Sequence, residues 1–367
     1  MRNISLDIFR GLIIFLMIIV NSQGAGSDPY PILDHAEWFG FTLADFVFPS
    51  FLFIMGCSLA YSKASDLEWG EYLSKIAKRT LILFAIGIFL NWFPFFLYNK
   101  QGLFEWKYFE NLRFMGVFQR LALCYLLAAI IVKAAPKNSI IIALFMLLGY
   151  WVAMLVLVPI GAPFTRDGNL GTVIDNFMIP KSHLYRGDNG FEPEGLLGTI
   201  PASVNMISGF ICARFVRNNG FTIETLRKFV FMGFGLLVLA SLWSAKYPIS
   251  KKLWTSSYVV LTIGLDLFLL AALAYIYEVK KIKFASEFFQ IFGRNPLAIY
   301  VFSLLFLKIL LVWRFEPTVS LHKFLGEQVF QKIWMGSGGS LLFALCFTLI
   351  CFLFALWLDR KKIIIKI

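Results

Sequence analysis

The sequence predicts an all-α fold, a polytopic transmembrane helix bundle of about ten spans with both termini cytoplasmic. Three observations carry this. The 367 residues are 59% hydrophobic and only 15% charged, with a mean hydropathy of +0.74, whereas soluble domains hold about a quarter charged residues. The apolar runs are continuous rather than alternating. In lipid such runs must be helices, because a spanning segment has to satisfy its own backbone hydrogen bonds. Lys and Arg gather in short segments between the runs, where a topology signal belongs.

Residues 5–21 make the first expected span. Its core, "GLIIFLMIIV", also has the length of a signal-peptide core, followed by a cleavage-like "SQG". Asp7 and Arg10 interrupt that pattern. Spans at 43–61, 76–93, 114–132 and 138–158 follow, most of them near the ~20 residues that cross a ~30 Å hydrocarbon core. The next are 196–213, 229–245 and 255–276. The ninth, 291–311, opens at Asn295-Pro296, a broken helix start, since proline removes a donor. The tenth is 339–358. No internal repeat, low-complexity tract or soluble domain is visible, so residues 1–367 are expected to form one transmembrane domain.

Placing the N-terminus inside puts most Lys and Arg in inner segments, from Arg2 and Lys63 through Lys280, Lys281 and Lys283 to Lys366, and none in the outer loop 22–42. The outer loop 159–195 is the longest. Its Gly, Asn, Asp and Pro content predicts folded turns. The net charge of +12 would suit nucleic acid, but its spread over short loops argues for the lipid bilayer as the partner and against nucleic acid. The five cysteines lie in or beside apolar runs without a CxxC pair, which predicts buried packing and no metal site.

Ionisable groups inside a membrane are expensive, so each one is a functional candidate. Asp7 and Arg10, three residues apart, share a helix face and can pair with each other, or Arg10 can meet an anionic ligand. Arg120, beside Gln119, lies two turns into the fourth span, too deep to reach water easily. Asp266, mid-span, is the natural partner for a buried cation. Asn205 and Asn295 are expected to join helices.

The stretch "LDHAEWFGFTLADFVFPSFLFIMG" holds His35, one of three histidines. A lone loop histidine is usually just hydrogen-bonded. Here Asp34, Glu37 and Asp45 are within reach. A carboxylate can fix the imidazole tautomer, and Asp45 is favoured because a helix would hold it rigidly, although an Asp near a helix N-terminus is also favoured for its own sake. Imidazole can take and return a proton near neutrality. Asn21 at the end of the first span can donate to a developing oxyanion. That set suits acyl transfer. His183 and His322, without such company, are expected to be structural.

"SLDIFRGLIIFLMIIVN" followed by "HAEWFGFTLADFVFPSFLFIMG" resembles the heparan-α-glucosaminide N-acetyltransferase family, including bacterial NagX-type relatives labelled as N-acetylglucosamine-related transporters. "GVFQRLALCY", Glu192-Pro193-Glu194-Gly195 leading into "LLGTIPASVNMISG", "KKLWTSSYVVLTIGLD" and "GRNPLAIYVF" extend the resemblance, which covers residues 5–302. The resemblance implies a membrane-embedded acetyltransferase. It would move an acetyl group from cytoplasmic acetyl-CoA to the amine of a glucosamine-type sugar on the outer side. The family's catalytic histidine carries over to His35, its asparagine to Asn21 and its aspartate to Asp45. Phe39 stands where the family usually has a small polar residue, which points to a different acceptor. The resemblance also implies a homodimer, although no GxxxG seam marks one, and an inner-membrane location if the chain is bacterial.

The anionic nucleotide of coenzyme A belongs near the basic inner surface, with Arg10, Arg120, Lys63, Lys75, Lys78, Arg79, Asn295 and Lys280–Lys283 as candidate binders. At His35, removal of a proton from the amine and direct attack on the thioester are both open. Tyr30, Trp38, Trp106 and Trp254 can stack on sugar rings. The alternative is a carrier of N-acetylglucosamine or a related sugar, with Arg120, Asp266 and Asn295 around a central site beside a helix break.

Overall fold

The computed structural model describes residues 3–99, 102–158, 163–188, 190–316 and 318–365; Arg2 and Lys366 lie outside the described residues. The chain is a helix bundle. Its helices are α1 (Ile4–Asn21), α2 (Leu43–Ala60), α3 (Trp69–Trp92), α4 (Val117–Ala134), α5 (Ser139–Val156), α6 (Leu170–Met178) and α7 (Thr199–Asn219). They continue with α8 (Ile223–Ser244), α9 (Ser256–Ala274), α10 (Ser286–Arg294), α11 (Pro296–Val312), α12 (Leu321–Leu325), α13 (Gln331–Ile333) and α14 (Ser337–Arg360). The only strands among the described residues are two small antiparallel pairs. Phe96–Tyr98 pairs with Phe104–Trp106, and Arg314–Glu316 pairs with Val319–Ser320.

Eight of these helices are long and apolar enough to cross a membrane, and a ninth crossing results if α10 and α11 count as one. The expected span 291–311, with its broken start at Asn295-Pro296, falls on this pair, which is bent by 82°. Pro296 has no N–H to continue the ladder, and Asn295 leaves helical geometry at φ −129°, ψ 52°. The expected span 76–93 lies in α3, which has 24 residues, about 36 Å at 1.5 Å per residue. Its first half carries Glu71, Lys75, Lys78 and Arg79, so only the second half is continuously apolar.

A helix apolar on all sides belongs in the centre. α2 shows this, with all but two of its residues buried, while α5 and α8 keep most of theirs outward. α2 lies against α7 at backbone distance. A Cβ on Gly56 would run into the Met206 carbonyl, and one on Gly209 into the Phe53 carbonyl. Small residues at such crossings let helices pack by close dispersion contact where lipid offers no hydrophobic drive.

The described part of loop 159–195 is folded, as its turn-rich composition predicts. It contains α6 and 3-10 turns at Lys181–His183 and Arg186–Asp188. Asp188 pairs with Arg166 at 2.9 Å and with Lys252 at 2.6 Å. The indole of Trp38 donates to the Phe164 carbonyl at 2.8 Å and packs on Phe191. This layer packs against Trp38 and Lys252, on the loops that carry His35 and Lys251.

Candidate active site

Asp45 sits at the third position of α2, in a capping box. Its carboxylate accepts the Thr42 backbone N–H at 3.2 Å, satisfying one of the orphan donors of the helix start. The same carboxylate serves the loop before it. Oδ2 accepts the Ala36 N–H at 3.1 Å, and Oδ1 lies 2.9 Å from His35 Nδ1. Asp34 accepts the His35 N–H at 2.8 Å, and its carbonyl accepts from the Thr42 hydroxyl at 2.7 Å. Asp45 is fully buried, and Tyr258 donates its hydroxyl to the Asp45 carbonyl at 2.6 Å. With an ionised carboxylate on Nδ1, that nitrogen donates, and the ring's lone pair is left on Nε2.

Lys251 completes this cluster. Its Nζ lies 3.1 and 3.2 Å from the two His35 ring nitrogens and 3.8 Å from Asp45 Oδ1. The Lys251 loop is tied to the His35 loop by a backbone bond from Gly40 N–H to the Ile249 carbonyl, 2.9 Å. Burial pulls the Lys251 pKa down, against the opposing charges of Asp45 and Glu194.

A cavity of about 230 Å³ opens beside these groups. Asn21, His35, Arg113, Glu194, Lys251 and Tyr300 give it polar walls, and Met17, Val47, Phe48 and Val117 line it between the helices. Asn21 Nδ2 donates to the Tyr300 hydroxyl over a long 3.3 Å.

The Glu192–Gly195 segment is held from two sides. Arg113 binds Glu192, with Nε to Oε2 at 3.0 Å, and also contacts Glu194; its guanidinium lies over the Tyr185 ring at 4.2 Å. Burial works against charge on Glu194, but Arg113, Arg120 and Lys251 outweigh it and hold the carboxyl below its usual range. Arg120 Nη2 donates to the Gly195 carbonyl at 3.0 Å, and its guanidinium lies 4.9 Å from the Trp254 ring centre.

The structure therefore brings His35, Asn21 and Asp45 together. The other expected residues lie elsewhere. Arg10 pairs with Asp7 at 3.0 Å and donates to Ser58 at 2.9 Å, joining α1 to the far end of α2. Lys78 is exposed on α3, and Arg79 lies over the Tyr125 ring at 4.5 Å. The Asn295 amide is taken up by the C-terminal tail: it donates to the Ile363 carbonyl at 2.8 Å and accepts the Ile365 N–H at 2.9 Å. Among the described residues Asp266 does not meet the buried cation expected of it. No ion pair with Arg120 forms, because Arg120 reaches outward to Gly195. Asn205 binds Thr262 at 2.9 Å, a helix-joining contact. His183 stacks on Phe114 and bonds the Leu112 carbonyl, and His322 packs edge-on to Phe343.

Sequence reasoning missed Lys251, Arg113, Glu194 and Tyr300 as site residues. The segments "KKLWTSSYVV" and Glu192–Gly195 were noticed, but no local pattern in them announces a contact with residue 35.

Residues 2–169 match the family model described as heparan-alpha-glucosaminide N-acetyltransferase, catalytic. Over 354 residues the chain is 28% identical to heparan-alpha-glucosaminide N-acetyltransferase of Homo sapiens, covering 81% of this chain and 52% of the relative. Over most of its length the chain is similar to the heparan-alpha-glucosaminide N-acetyltransferases. The protein of that name from Mus musculus is 28% identical over 352 residues, covering 80% of this chain and 52% of its own length. The chain thus spans about half the length of the curated relatives it matches. His35, Asn21 and Asp45 all fall inside the segment that matches the family's catalytic model.

Proposed function

We propose that the chain is a membrane-embedded acetyltransferase that takes acetyl-CoA from the cytoplasmic side and acetylates the amine of a glucosamine-type sugar on the outer side. The observation that carries this reading is the His35–Asp45 pair, with Nδ1 and Oδ1 2.9 Å apart at the wall of a cavity that runs in between helices. The name of the related proteins supplies the reaction class, and the excess of Lys and Arg in the inner segments supports the sidedness.

In this reading Asp45 fixes the imidazole so that Nε2 takes the proton of the attacking amine, or attacks the thioester carbonyl itself. Asp45 then stabilises the imidazolium. Asn21, only loosely held by Tyr300, turns its amide N–H to the developing oxyanion. The imidazolium returns its proton to the departing thiolate. Glu194, facing the same cavity, is suited to attract an ammonium. The donor's nucleotide end belongs at the other end of α2, about 25 Å away at 1.5 Å per residue. There a crevice of about 410 Å³ is edged by Lys133, Arg214 and Arg217, cations that the expected set did not include.

The carrier alternative has less support. Its polar groups do not converge: Arg120, Asp266 and Asn295 each turn to different surroundings, and the helix break is filled by the C-terminal tail. The deciding experiment incubates the purified protein with acetyl-CoA and a panel of amino sugars and reads products by mass spectrometry. An acetylated sugar that disappears in His35→Ala supports the enzyme. Accumulation of labelled sugar in sealed vesicles, with no thioester consumed, supports the carrier.

A further inference from the structure

The Lys251 side chain brings a primary amine to the His35 imidazole at the cavity wall. Nζ lies 3.2 Å from His35 Nε2, the nitrogen that Asp45 does not hold, and 3.1 Å from Nδ1, and it lines the same cavity as Asn21 and Glu194. It is not locked in a close ion pair, since Asp45 Oδ1 is 3.8 Å away, beyond hydrogen-bond length. The next residue makes the contrast: Lys252 is tied to Asp188 at 2.6 Å. The Lys251 side chain is only 18% exposed; its carbonyl accepts the Trp254 N–H at 3.0 Å, and the two residues before it are held by Gly40 at Ile249 and by Thr255 at Ser250.

Resting on the acetyltransferase reading, we infer that Lys251 is an internal acceptor: when no sugar is bound, the acetyl group of acetyl-CoA passes to Lys251 Nζ. In this step the Nζ lone pair attacks the thioester carbonyl carbon. The new C–N bond forms, the C–S bond breaks, and the proton lost from Nζ travels through His35 Nε2 to the coenzyme A thiolate. The products are an acetyl-lysine and free thiol. Burial favours the unprotonated amine that this attack needs. The neutral acetamide then fills the acceptor's place, so a protein charged with donor but starved of sugar shuts itself off. A sugar in the cavity displaces Nζ from His35 and protects it.

The test is peptide mass spectrometry of purified protein held with acetyl-CoA alone, with acetyl-CoA plus glucosamine, and as His35→Ala and Lys251→Arg variants checked for an unchanged elution profile. The expected result is one acetyl group per chain on Lys251, absent from Lys252, slowed by glucosamine and lost in His35→Ala. Lys251→Arg is expected to show no acetylation at that position. Sugar acetylation with Lys251 left unmodified after prolonged exposure to donor overturns the inference and leaves the enzyme reading intact. Equal labelling of Lys251 and Lys252, or labelling that persists in His35→Ala, overturns it as ordinary chemical acetylation. Transfer to neither sugar nor Lys251 sinks both.

Discussion

Asp45 holds His35 with one carboxylate oxygen, at 2.9 Å from Nδ1, and caps α2 with the other. Chemistry and folding therefore hang on the same side chain, and two substitutions separate them. Asp45→Asn keeps an acceptor for the cap but loses the charge that supports the imidazolium. It is expected to cost on the order of 10²–10⁴ in acetyl transfer with little change in melting temperature. Asp45→Ala loses the cap as well and is expected to lower stability by roughly 0.5–2 kcal/mol, read by thermal unfolding in detergent.

Asn21 and Tyr300 make a graded pair. If Asn21 supplies the oxyanion donor, Asn21→Ala lowers turnover by about 10²–10³. Tyr300→Phe removes only the 3.3 Å contact that holds the amide at rest and should leave most of the rate. Equal losses in steady-state assays of the two variants would assign the oxyanion role to another group.

Arg113 faces Glu192, which is buried, and Glu194. Glu192→Ala leaves a largely buried guanidinium short of its bidentate partner. A loss of up to about 3–5 kcal/mol is expected in denaturant or thermal unfolding. Glu194→Gln, which keeps the shape and leaves the Glu192 contact, is expected to cost less stability and to weaken amine binding instead.

Asp175, on α6 outside the candidate spans, has its carboxyl pushed up to about 6 by burial, against the Leu196 N–H and Arg120. The folded chain then binds this proton more tightly than the unfolded one, whose carboxyl titrates near 3.9. Its contribution is fully present below about pH 4 and is lost as pH rises to about 6, worth of the order of 3 kcal/mol. Asp175→Asn, which keeps the acceptor for Leu196, should flatten the stability profile between those values and stabilise the chain at pH 8.

Much of the fold was legible because lipid leaves so few solutions. Continuous apolar runs had to be helices, and Asn295-Pro296 had to break one. The size of the 82° bend was not legible, since it is set by what α10 and the C-terminal tail pack against. His35 and Asp45 could be paired from sequence because ten residues and a helix start separate them. Lys251 is 216 residues further on, and only the meeting of two loops brings it to the imidazole. Arg120 and Asp266 looked like partners because both are buried charges. Sequence does not show that one lies in the first turn of its helix, within reach of a loop carbonyl, while the other sits deep among hydroxyls and thiols.

The bond from Gly40 to Ile249 couples the strip carrying the imidazole to the strip carrying the amine. Parting the two strips costs this bond, about 0.5–1.5 kcal/mol, together with the contacts between Lys251 and His35, so the spacing of imidazole and amine is held by backbone as well as by side chains.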